Sequence, residues 1–182
     1  TGIEELRRTT RDEPDYDKLM RYRLDILDSK GITMDDISSV IEKMEPLEGA
    51  VDFLNQLRSK WQVIILSDTF AQFAEPMMEK LGRPTILCHT LEVDEESRRV
   101  TGWAIRMEDQ KRHTVEALRG LNFNVISAGD SYNDTSMLAA SNAGFLINPP
   151  NNVVDEFPQY PVVTDFEQLL THIEAAASAI GE

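Results

Sequence analysis

The sequence predicts an α/β fold, in which helices flank a Rossmann-like parallel sheet and a small helical unit precedes that sheet. The first observation is the order of elements after residue 46, where amphipathic helices alternate with short strands. The second is that these strands are continuously apolar, as in VIIL at 63–66, which is typical of strands buried on both faces. The third is that no strand pattern occurs earlier, so 1–45 is predicted to be a separate helical unit and 46–182 the α/β core.

Two segments predict the helices of the first unit. Residues 15–29 place a series of apolar side chains on one helical face, and Gly31 ends that helix. Thr33 is in position to cap a second helix over 34–44. Pro46 then interrupts the helical pattern and ends the unit.

The core is predicted to alternate between the two kinds of element. The predicted helices cover 47–61, 70–82, 110–121, 133–141 and 165–180, and the predicted strands cover 62–67, 84–93, 98–106, 123–129, 143–147 and 161–163. The segment 148–161, rich in proline and asparagine, is predicted to be a surface loop.

Composition limits the classes of function. The 182 residues carry a net charge of −14, which disfavours nucleic acid and anionic membrane surfaces as partners. The apolar runs are too short to span a bilayer. Cys88 is the single cysteine, so no internal disulfide and no cysteine-based metal site can form. No secretory signal pattern opens the sequence, and we expect a cytoplasmic monomer or homodimer.

Polar residues follow two of the predicted strands, where open parallel sheets bind their ligands. Ser67, at the end of the first, could grip a phosphate oxygen with its hydroxyl and nearby backbone N–H groups, or could simply cap a helix. Asp130 follows Gly129 at the end of the second, and it could hold Mg²⁺ beside a phosphate or serve as a helix cap. The residues alone leave both alternatives open at both positions.

Two cations occupy unusual positions. Lys111 opens a predicted helix, where its charge opposes the helix dipole, so it either meets phosphate charge or is an ordinary solvated lysine. Arg23 lies on the otherwise apolar face of the helix at 15–29, where a charge must reach solvent or find a partner. A substrate carboxylate is one such partner. The histidines, His89 among them, show no metal-ligand spacing and are expected to be structural or on the surface.

Taken together, these segments resemble the haloacid dehalogenase superfamily of phosphohydrolases, in particular its phosphoserine phosphatase branch. LSDTF at 66–70, DQKRH at 109–113 and GDSYND at 129–134 match the second, third and fourth motifs of that family. The segment 16–27 resembles its helical cap. The stretch 46–70, with Asp-Thr after the serine, resembles bifunctional members of the branch that also pass phosphate to homoserine.

The resemblance implies an enzyme that acts on phosphoserine, a small phosphorylated amino acid, with Mg²⁺ as cofactor and an aspartyl-phosphate intermediate. It leaves open whether homoserine also accepts the phosphate. It implies that Asp130 holds the metal and that Lys111 offsets the charge of the phosphoryl group. Ser67, Asp68 and Thr69 are implied to orient the phosphoryl oxygens.

Three further roles follow from the same resemblance. Asn133 is implied to contact the substrate phosphate. Asp134 is implied to position Lys111 without touching the substrate itself. Arg23 is implied to bind the substrate carboxylate.

One element of the family has no counterpart in the sequence. Its nucleophile is an aspartate at the end of the first strand, in a DxDx[TV]-type motif, and DYDKL at 15–19 fits only superficially because no apolar strand precedes it. We therefore expect a segment of roughly 20–25 residues before Thr1, from average element lengths, and negligible turnover by this chain alone. If the start is natural, the alternative is a non-catalytic module that binds phosphometabolites or another protein.

Overall fold

The structure is a computed structural model that describes residues 3–8, 12–13 and 15–181. Thr1 lies outside this range. The chain forms two compact units, one of residues 1–46 with 67–106 and the other of 47–66 with 107–182. None of the helices in the described part of the chain has both the length and the apolar character that a membrane span requires.

Helices and strands alternate through most of the described chain. The helices are α1 (Tyr16–Ser29), α2 (Met34–Ile41), α3 (Ala50–Arg58), α4 (Ala71–Lys80), α5 (Gln110–Gly120), α6 (Thr135–Ala140), α7 (Asn151–Glu156) and α8 (Phe166–Gly181). The strands are β1 (Ile64–Phe70), β2 (Thr85–Val93), β3 (Val100–Ala104), β4 (Ile126–Gly129), β5 (Ala143–Ile147) and β6 (Val162–Val163). Short 3₁₀ turns cover Glu4–Arg7 and Tyr132–Asp134.

The strands form two three-stranded sheets, in the orders β1-β2-β3 and β4-β5-β6. In the first, β2 and β3 are antiparallel, with Leu91 opposite Trp103. In the second, all neighbours are parallel, and Leu146 of β5 lies opposite Val162 of β6. The predicted α/β class, with parallel strands flanked by helices, is therefore confirmed. The predicted division into a cap at 1–45 and a core at 46–182 stays a prediction.

The unit of residues 1–46 and 67–106 is built around a core that joins its helices to β1, β2 and β3. Met20, Met34, Phe70 and Leu91 are its buried members. Thr33 caps α2 as predicted, because its hydroxyl accepts the backbone N–H of Asp36 while the Asp36 carboxylate accepts that of Thr33.

The unit of residues 47–66 and 107–182 has two apolar clusters, one on each face of its parallel sheet. The first contains Val115, Met137, Leu138, Leu146 and Val153. The second contains Phe145, Val163 and Leu169, with Phe53 and several apolar residues of α8 packed against them. Because helices pack on both faces, the exposed polar residues of this sheet are concentrated in the loops at its strand ends.

The structure differs from the sequence prediction in two segments for which burial gives the reason. β1 continues to Phe70 instead of ending at Ser67, because Thr69 and Phe70 favour extended backbone and Phe70 is buried in the core of its unit. The segment 148–161 is not simply a loop, because it contains α7. Pro150 precedes the first turn of that helix with its fixed φ of −62°, and Val153, 1% exposed, anchors the helix in the core.

Candidate active site

The loop that follows β4 begins at a glycine that the structure requires. A Cβ atom on Gly129 would lie 2.4 Å from Cβ of Asp134 and 2.6 Å from its Cγ. Non-bonded carbon atoms do not approach each other this closely, so a side chain at this position would displace Asp134. The glycine therefore allows the chain to turn at the strand end and to fold back over the Asp134 carboxylate.

Asp134 is the centre of this loop. Its Oδ2 atom accepts hydrogen bonds from the backbone N–H groups of Asp130, at 3.0 Å, and Ser131, at 3.1 Å. The Ser131 hydroxyl donates a third hydrogen bond to the same oxygen at 3.0 Å. Three donors on one carboxylate oxygen fix the backbone of residues 130 and 131, and so fix the direction in which the Asp130 side chain leaves the loop.

The other oxygen of Asp134 holds Lys111. The Lys111 Nζ atom lies 2.7 Å from Asp134 Oδ1, and the two side chains are only 9% and 8% exposed. The interpretation of Lys111 as an ordinary surface lysine is therefore wrong. A buried ammonium group needs a partner, and a single carboxylate that holds both Lys111 and the loop after β4 ties α5 to the end of that strand.

Asp130 differs from Asp134 in its surroundings. Its residue is exposed, and within the described part of the chain its carboxylate makes no hydrogen bond or ion pair. It offers a carboxylate at the end of a parallel strand, and its backbone N–H bonds to the same Asp134 carboxylate that holds the buried Lys111 ammonium group. Asn133 is exposed in the same loop, and its Oδ1 shares the single Ser131 hydroxyl proton with Asp134 Oδ2.

These donors fit Mg²⁺ better than a transition metal. No cluster of three or more histidine, cysteine, aspartate or glutamate residues that could hold a metal occurs among residues 3–8, 12–13 and 15–181. Mg²⁺ takes one or two protein carboxylates and completes its shell with phosphate and water oxygens. Asp130 can supply one such ligand, whereas zinc sites usually need three or four protein ligands.

The residues predicted to orient the phosphoryl group belong to the unit of residues 1–46 and 67–106. Ser67, Asp68 and Thr69 lie in β1, and the Ser67 hydroxyl oxygen accepts the backbone N–H of Thr69 at 3.2 Å. The helix-cap interpretation of Ser67 is wrong, because α4 begins after Phe70 and no side chain caps its first turn.

Arg23 lies in the same unit and is half-buried on α1. Its Nη2 atom donates to the backbone oxygen of Arg8 at 2.8 Å. Its Nε atom is buried and makes no hydrogen bond with any residue that the structure describes. Arg23 thus holds a positive charge near the core of this unit with part of its hydrogen-bonding capacity unused.

His89, expected to be structural or on the surface, is buried and bonded within the fold. Its side chain is only 7% exposed, its Nδ1 atom accepts the backbone N–H of Arg106 at 3.2 Å, and its Nε2 atom lies 3.8 Å from Asp68 Oδ1. Without ligand spacing nearby, a single histidine within a strand gives no signal. Its partner Asp68 lies on another strand of the same sheet, so only the fold shows the pair.

The structure thus brings together Lys111, Asp130, Asn133 and Asp134 within one unit, and it places Ser67, Asp68, Thr69 and Arg23 in the other. Their predicted roles in catalysis and binding stay predictions.

Comparison with known proteins gives consistent matches. Residues 8–139 match the family model of haloacid dehalogenase-like hydrolases. The chain is 52% identical over 178 residues to phosphoserine phosphatase ThrH of Pseudomonas aeruginosa, a match that covers 98% of this chain and 86% of that protein. It is 53% identical over 169 residues to a phosphoserine phosphatase of Pseudomonas syringae pv. tomato, covering 93% of this chain and 71% of that protein.

Solved structures show the same fold. A probable phosphoserine phosphatase from Vibrio cholerae, in its unliganded form, superposes with a TM-score of 0.75 at 22% identity, over 98% of this chain and 58% of that one. A phospho-aspartyl intermediate analogue of phosphoserine phosphatase gives a TM-score of 0.69 at 20% identity, over 85% and 76% of the two chains.

Proposed function

The chain belongs to the haloacid dehalogenase-like hydrolase family, and we propose that within this family the protein is a Mg²⁺-dependent phosphatase of L-phosphoserine. The observation that carries the proposal is the arrangement after β4, where the exposed Asp130 donates its backbone N–H to Asp134, the buried partner of Lys111. The relatives named phosphoserine phosphatase, at 52% and 53% identity, support the choice of substrate.

Phosphoryl transfer passes through a loose transition state, so an enzyme accelerates it mainly by positioning the groups and neutralising their charge. In the proposal, Lys111 meets the negative charge of the phosphoryl oxygens. Asp134 lies 2.7 Å from the Lys111 ammonium group and orients it. A preoriented cation of this kind needs no rearrangement when the charge develops.

Asp130 would hold the metal ion, and bound Mg²⁺ would neutralise phosphoryl charge and align the phosphate for attack. The hydrogen bonds that Asp134 Oδ2 accepts from residues 130 and 131 hold the backbone of the loop, so the Cα–Cβ bond of Asp130 points in a fixed direction. Asn133 is proposed to contact the phosphate from the same loop.

Substrate recognition is proposed to involve residues of the other unit. Ser67 and Thr69 would orient a phosphoryl oxygen through hydroxyl and backbone N–H groups. Arg23 would bind the substrate carboxylate through guanidinium N–H groups that do not bond to Arg8, such as Nε–H. An arginine suits this role because its planar fork matches the geometry of a carboxylate.

None of the described carboxylates is assigned as the attacking group. An aspartyl-phosphate intermediate in the full-length protein, and phosphate transfer from it to homoserine as well as to water, are parts of the proposal.

The test is phosphate release by the full-length protein from L-phosphoserine and from other small phosphomonoesters, with Mg²⁺ or with a chelator, and with or without homoserine. We expect L-phosphoserine to be the best substrate, with hydrolysis abolished by the chelator and restored by Mg²⁺. Phosphate that appears on homoserine would show the transfer activity. Binding of phosphoserine without any Mg²⁺-dependent release would overturn the proposal in favour of a non-catalytic binding module.

A further inference from the structure

The loop of residues 130–134 makes a contact on its exposed side that the proposed chemistry does not use. The ring of Tyr132 meets the ring of Phe157 edge to face, with a centroid distance of 5.4 Å and an interplanar angle of 80°. Aromatic pairs favour this arrangement, because the positive edge of one ring lies against the negative face of the other. Tyr132 remains 43% exposed, so a contact at the surface restrains its side chain.

Phe157 is itself held in place by its neighbours. It follows α7 directly, its backbone N–H donates to the oxygen of Val153 at 2.9 Å, and it packs against the buried cluster that contains Val153. Tyr160 stacks on it with a centroid distance of 6.5 Å and donates its backbone N–H to the Phe157 oxygen at 3.2 Å. Phe157 is therefore tied to the core of its unit and offers Tyr132 a fixed surface.

The backbone of Tyr132 is restrained as well. Its carbonyl oxygen accepts the backbone N–H of Thr135 and, at 2.8 Å, the Thr135 hydroxyl. With its backbone bonded on one side and its ring against Phe157 on the other, Tyr132 cannot turn without losing a contact. Asp130 and Asn133 lie within two positions of Tyr132 in the chain, so the same contact limits the conformations of the loop that carries them.

Mg²⁺ binding is sensitive to such a limit. Mg²⁺ demands near-octahedral geometry and takes only one or two protein carboxylates, so the direction of the Asp130 side chain matters. A loop that occupies several conformations binds more weakly, because the apparent affinity falls with the fraction of molecules in the competent one. Asp134 holds the backbone of residues 130 and 131, and Tyr132 continues the restraint to the exposed end of the loop.

We propose that Phe157 is a positioning residue for the metal site, because its ring holds Tyr132 and thereby keeps the loop of residues 130–134 in the conformation that binds Mg²⁺. Phe157 itself touches neither the metal nor the substrate. The inference rests on the proposed function, since it assigns the preorganisation of the Asp130 site to an aromatic residue at the end of α7.

The first experiment measures Mg²⁺ binding to the full-length protein by calorimetry, without substrate. Phe157→Leu keeps an apolar side chain and removes the ring. We expect it to raise the Mg²⁺ dissociation constant by roughly two- to tenfold, the range that corresponds to one aromatic pair. Phe157→Tyr restores a ring and should stay near the wild-type value. An unchanged dissociation constant in Phe157→Leu would overturn the inference.

Phe166→Leu is the matched control. It makes the same substitution in another aromatic pair of the same unit, since Phe166 stacks on Phe53 with a centroid distance of 4.9 Å, and Phe53 packs against the cluster on the other face of the sheet. It should lower the free energy of unfolding but leave Mg²⁺ binding at the wild-type value. A rise in the dissociation constant as large as that of Phe157→Leu would contradict the inference, because any loss of packing would then weaken the metal site.

The kinetics separate positioning from general damage. In Phe157→Leu, the Mg²⁺ concentration for half-maximal phosphate release from L-phosphoserine should rise by the same factor as the dissociation constant. At saturating Mg²⁺, kcat should return to near the wild-type value, because the bound ion then holds the loop. A low kcat at saturating Mg²⁺ combined with an unchanged half-saturation would rule out a positioning role.

Tyr132→Leu breaks the same pair from the exposed side, where a substitution is tolerated even if Phe157→Leu does not fold. It should raise the Mg²⁺ dissociation constant by a similar factor. In the double variant the two factors should not multiply, because either substitution alone already removes the contact. Factors that multiply would show that the two residues act independently and would overturn the inference.

Amide hydrogen exchange in the metal-free protein tests the restraint without relying on the proposed function. The backbone N–H groups of Asp130 and Ser131 should exchange faster in Phe157→Leu than in the wild type, and at the wild-type rate in Phe166→Leu. Equal rates in Phe157→Leu and wild type would contradict the inference. Failure of the proposed function appears differently, as a wild-type protein without Mg²⁺-dependent phosphate release from L-phosphoserine.

Discussion

Lys111 Nζ lies 2.7 Å from Asp134 Oδ1, and both side chains are more than nine-tenths buried, at 9% and 8% exposure. The same carboxylate accepts three hydrogen bonds from residues 130 and 131 through its other oxygen. Asp134 therefore joins the first turn of α5 to the loop after β4. This one side chain determines the positions of the two charged groups, Lys111 and Asp130, on which the proposed chemistry depends.

Asp134→Asn should damage both stability and activity. An amide can still accept the loop hydrogen bonds, but it leaves the Lys111 ammonium group buried without a counter-charge. Removing one partner of a buried ion pair costs about 3–5 kcal/mol. Urea unfolding monitored by circular dichroism measures the loss of stability, and phosphate release by the full-length protein measures the loss of activity.

Asp155→Asn is the control for this substitution, since it makes the same chemical change at an exposed position on α7. It should alter the free energy of unfolding by no more than about 0.5 kcal/mol, as most surface substitutions do. Equal stability of Asp134→Asn and Asp155→Asn would show that the buried pair does not organise the loop.

Gly129→Ala should displace Asp134. The added Cβ would lie 2.4 Å from Asp134 Cβ and 2.7 Å from its Oδ2. Forcing an extra carbon into a packed site costs about 1–3 kcal/mol. Because the clash falls on Asp134, we expect kcat to fall along with stability.

Gly120→Ala tests the same change where there is space. No atom lies within 4 Å of a Cβ built on Gly120, at the end of α5. This variant should keep full activity and gain up to about 0.5–1 kcal/mol, because alanine favours helix more than glycine does. Wild-type activity in Gly129→Ala would contradict the close packing over Asp134.

Asp109 should control how α5 begins, two residues before Lys111. Its φ of +46° is the left-handed conformation, and its carboxylate accepts hydrogen bonds from Arg112 Nε and, at 2.9 Å, from the Ser136 hydroxyl of α6. Asparagine tolerates this conformation, whereas alanine pays about 1–2 kcal/mol for it. Urea unfolding should therefore show Asp109→Ala to be less stable than Asp109→Asn. Equal stabilities of the two variants would contradict backbone strain at residue 109.

The same residue predicts a pH dependence. Burial raises the pKa of Asp109, but the hydrogen bonds from Arg112 and Ser136 outweigh burial and hold the pKa below its usual value. A lowered pKa means that the ionised carboxylate stabilises the fold above the usual aspartate pKa, and that this contribution disappears as the pH falls through the lowered value. The stability difference between wild type and Asp109→Asn should therefore shrink between pH 5 and pH 2, which unfolding titrations at several pH values can measure.

Arg23→Ala should weaken binding of substrates that carry a carboxylate. KM for L-phosphoserine should rise far more than KM for O-phosphoethanolamine, because only the first offers a group to the guanidinium. Arg21→Ala, on the exposed side of the same helix, is the control and should change neither value. Equal effects of Arg23→Ala on both esters would refute carboxylate recognition.

Much of the fold could be predicted from the sequence, because local patterns determine it. Apolar runs such as VIIL, and the capping pair of Thr33 and Asp36, depend on residues within a few positions of one another. The errors arise where tertiary burial outweighs local preference. Phe70 extends β1 because its ring is buried, and Val153 anchors α7 in a segment whose prolines and asparagines suggest a loop.

The motifs of the candidate site could be predicted from the sequence, but the burial and the contacts of its side chains could not. The glycine and the acidic residues of 129–134 indicated a loop at a strand end. The burial of Lys111 could not be predicted, because a charged residue at the start of a helix is usually exposed. The burial of His89 against Asp68 could not be predicted for a similar reason. Its relation to Asp68 depends on how two strands pair in the fold, and no spacing in the sequence reveals that.

The most direct test of the central proposal is a Mg²⁺ titration of phosphate release from L-phosphoserine by the full-length protein, in wild type and in Asp130→Asn. We predict that the wild-type rate rises from the chelated baseline to saturation, while Asp130→Asn stays near the baseline at every Mg²⁺ concentration, and Asp155→Asn follows the wild type. A wild-type rate with wild-type half-saturation in Asp130→Asn would contradict the assignment of Asp130 as the metal ligand, and with it the proposed site.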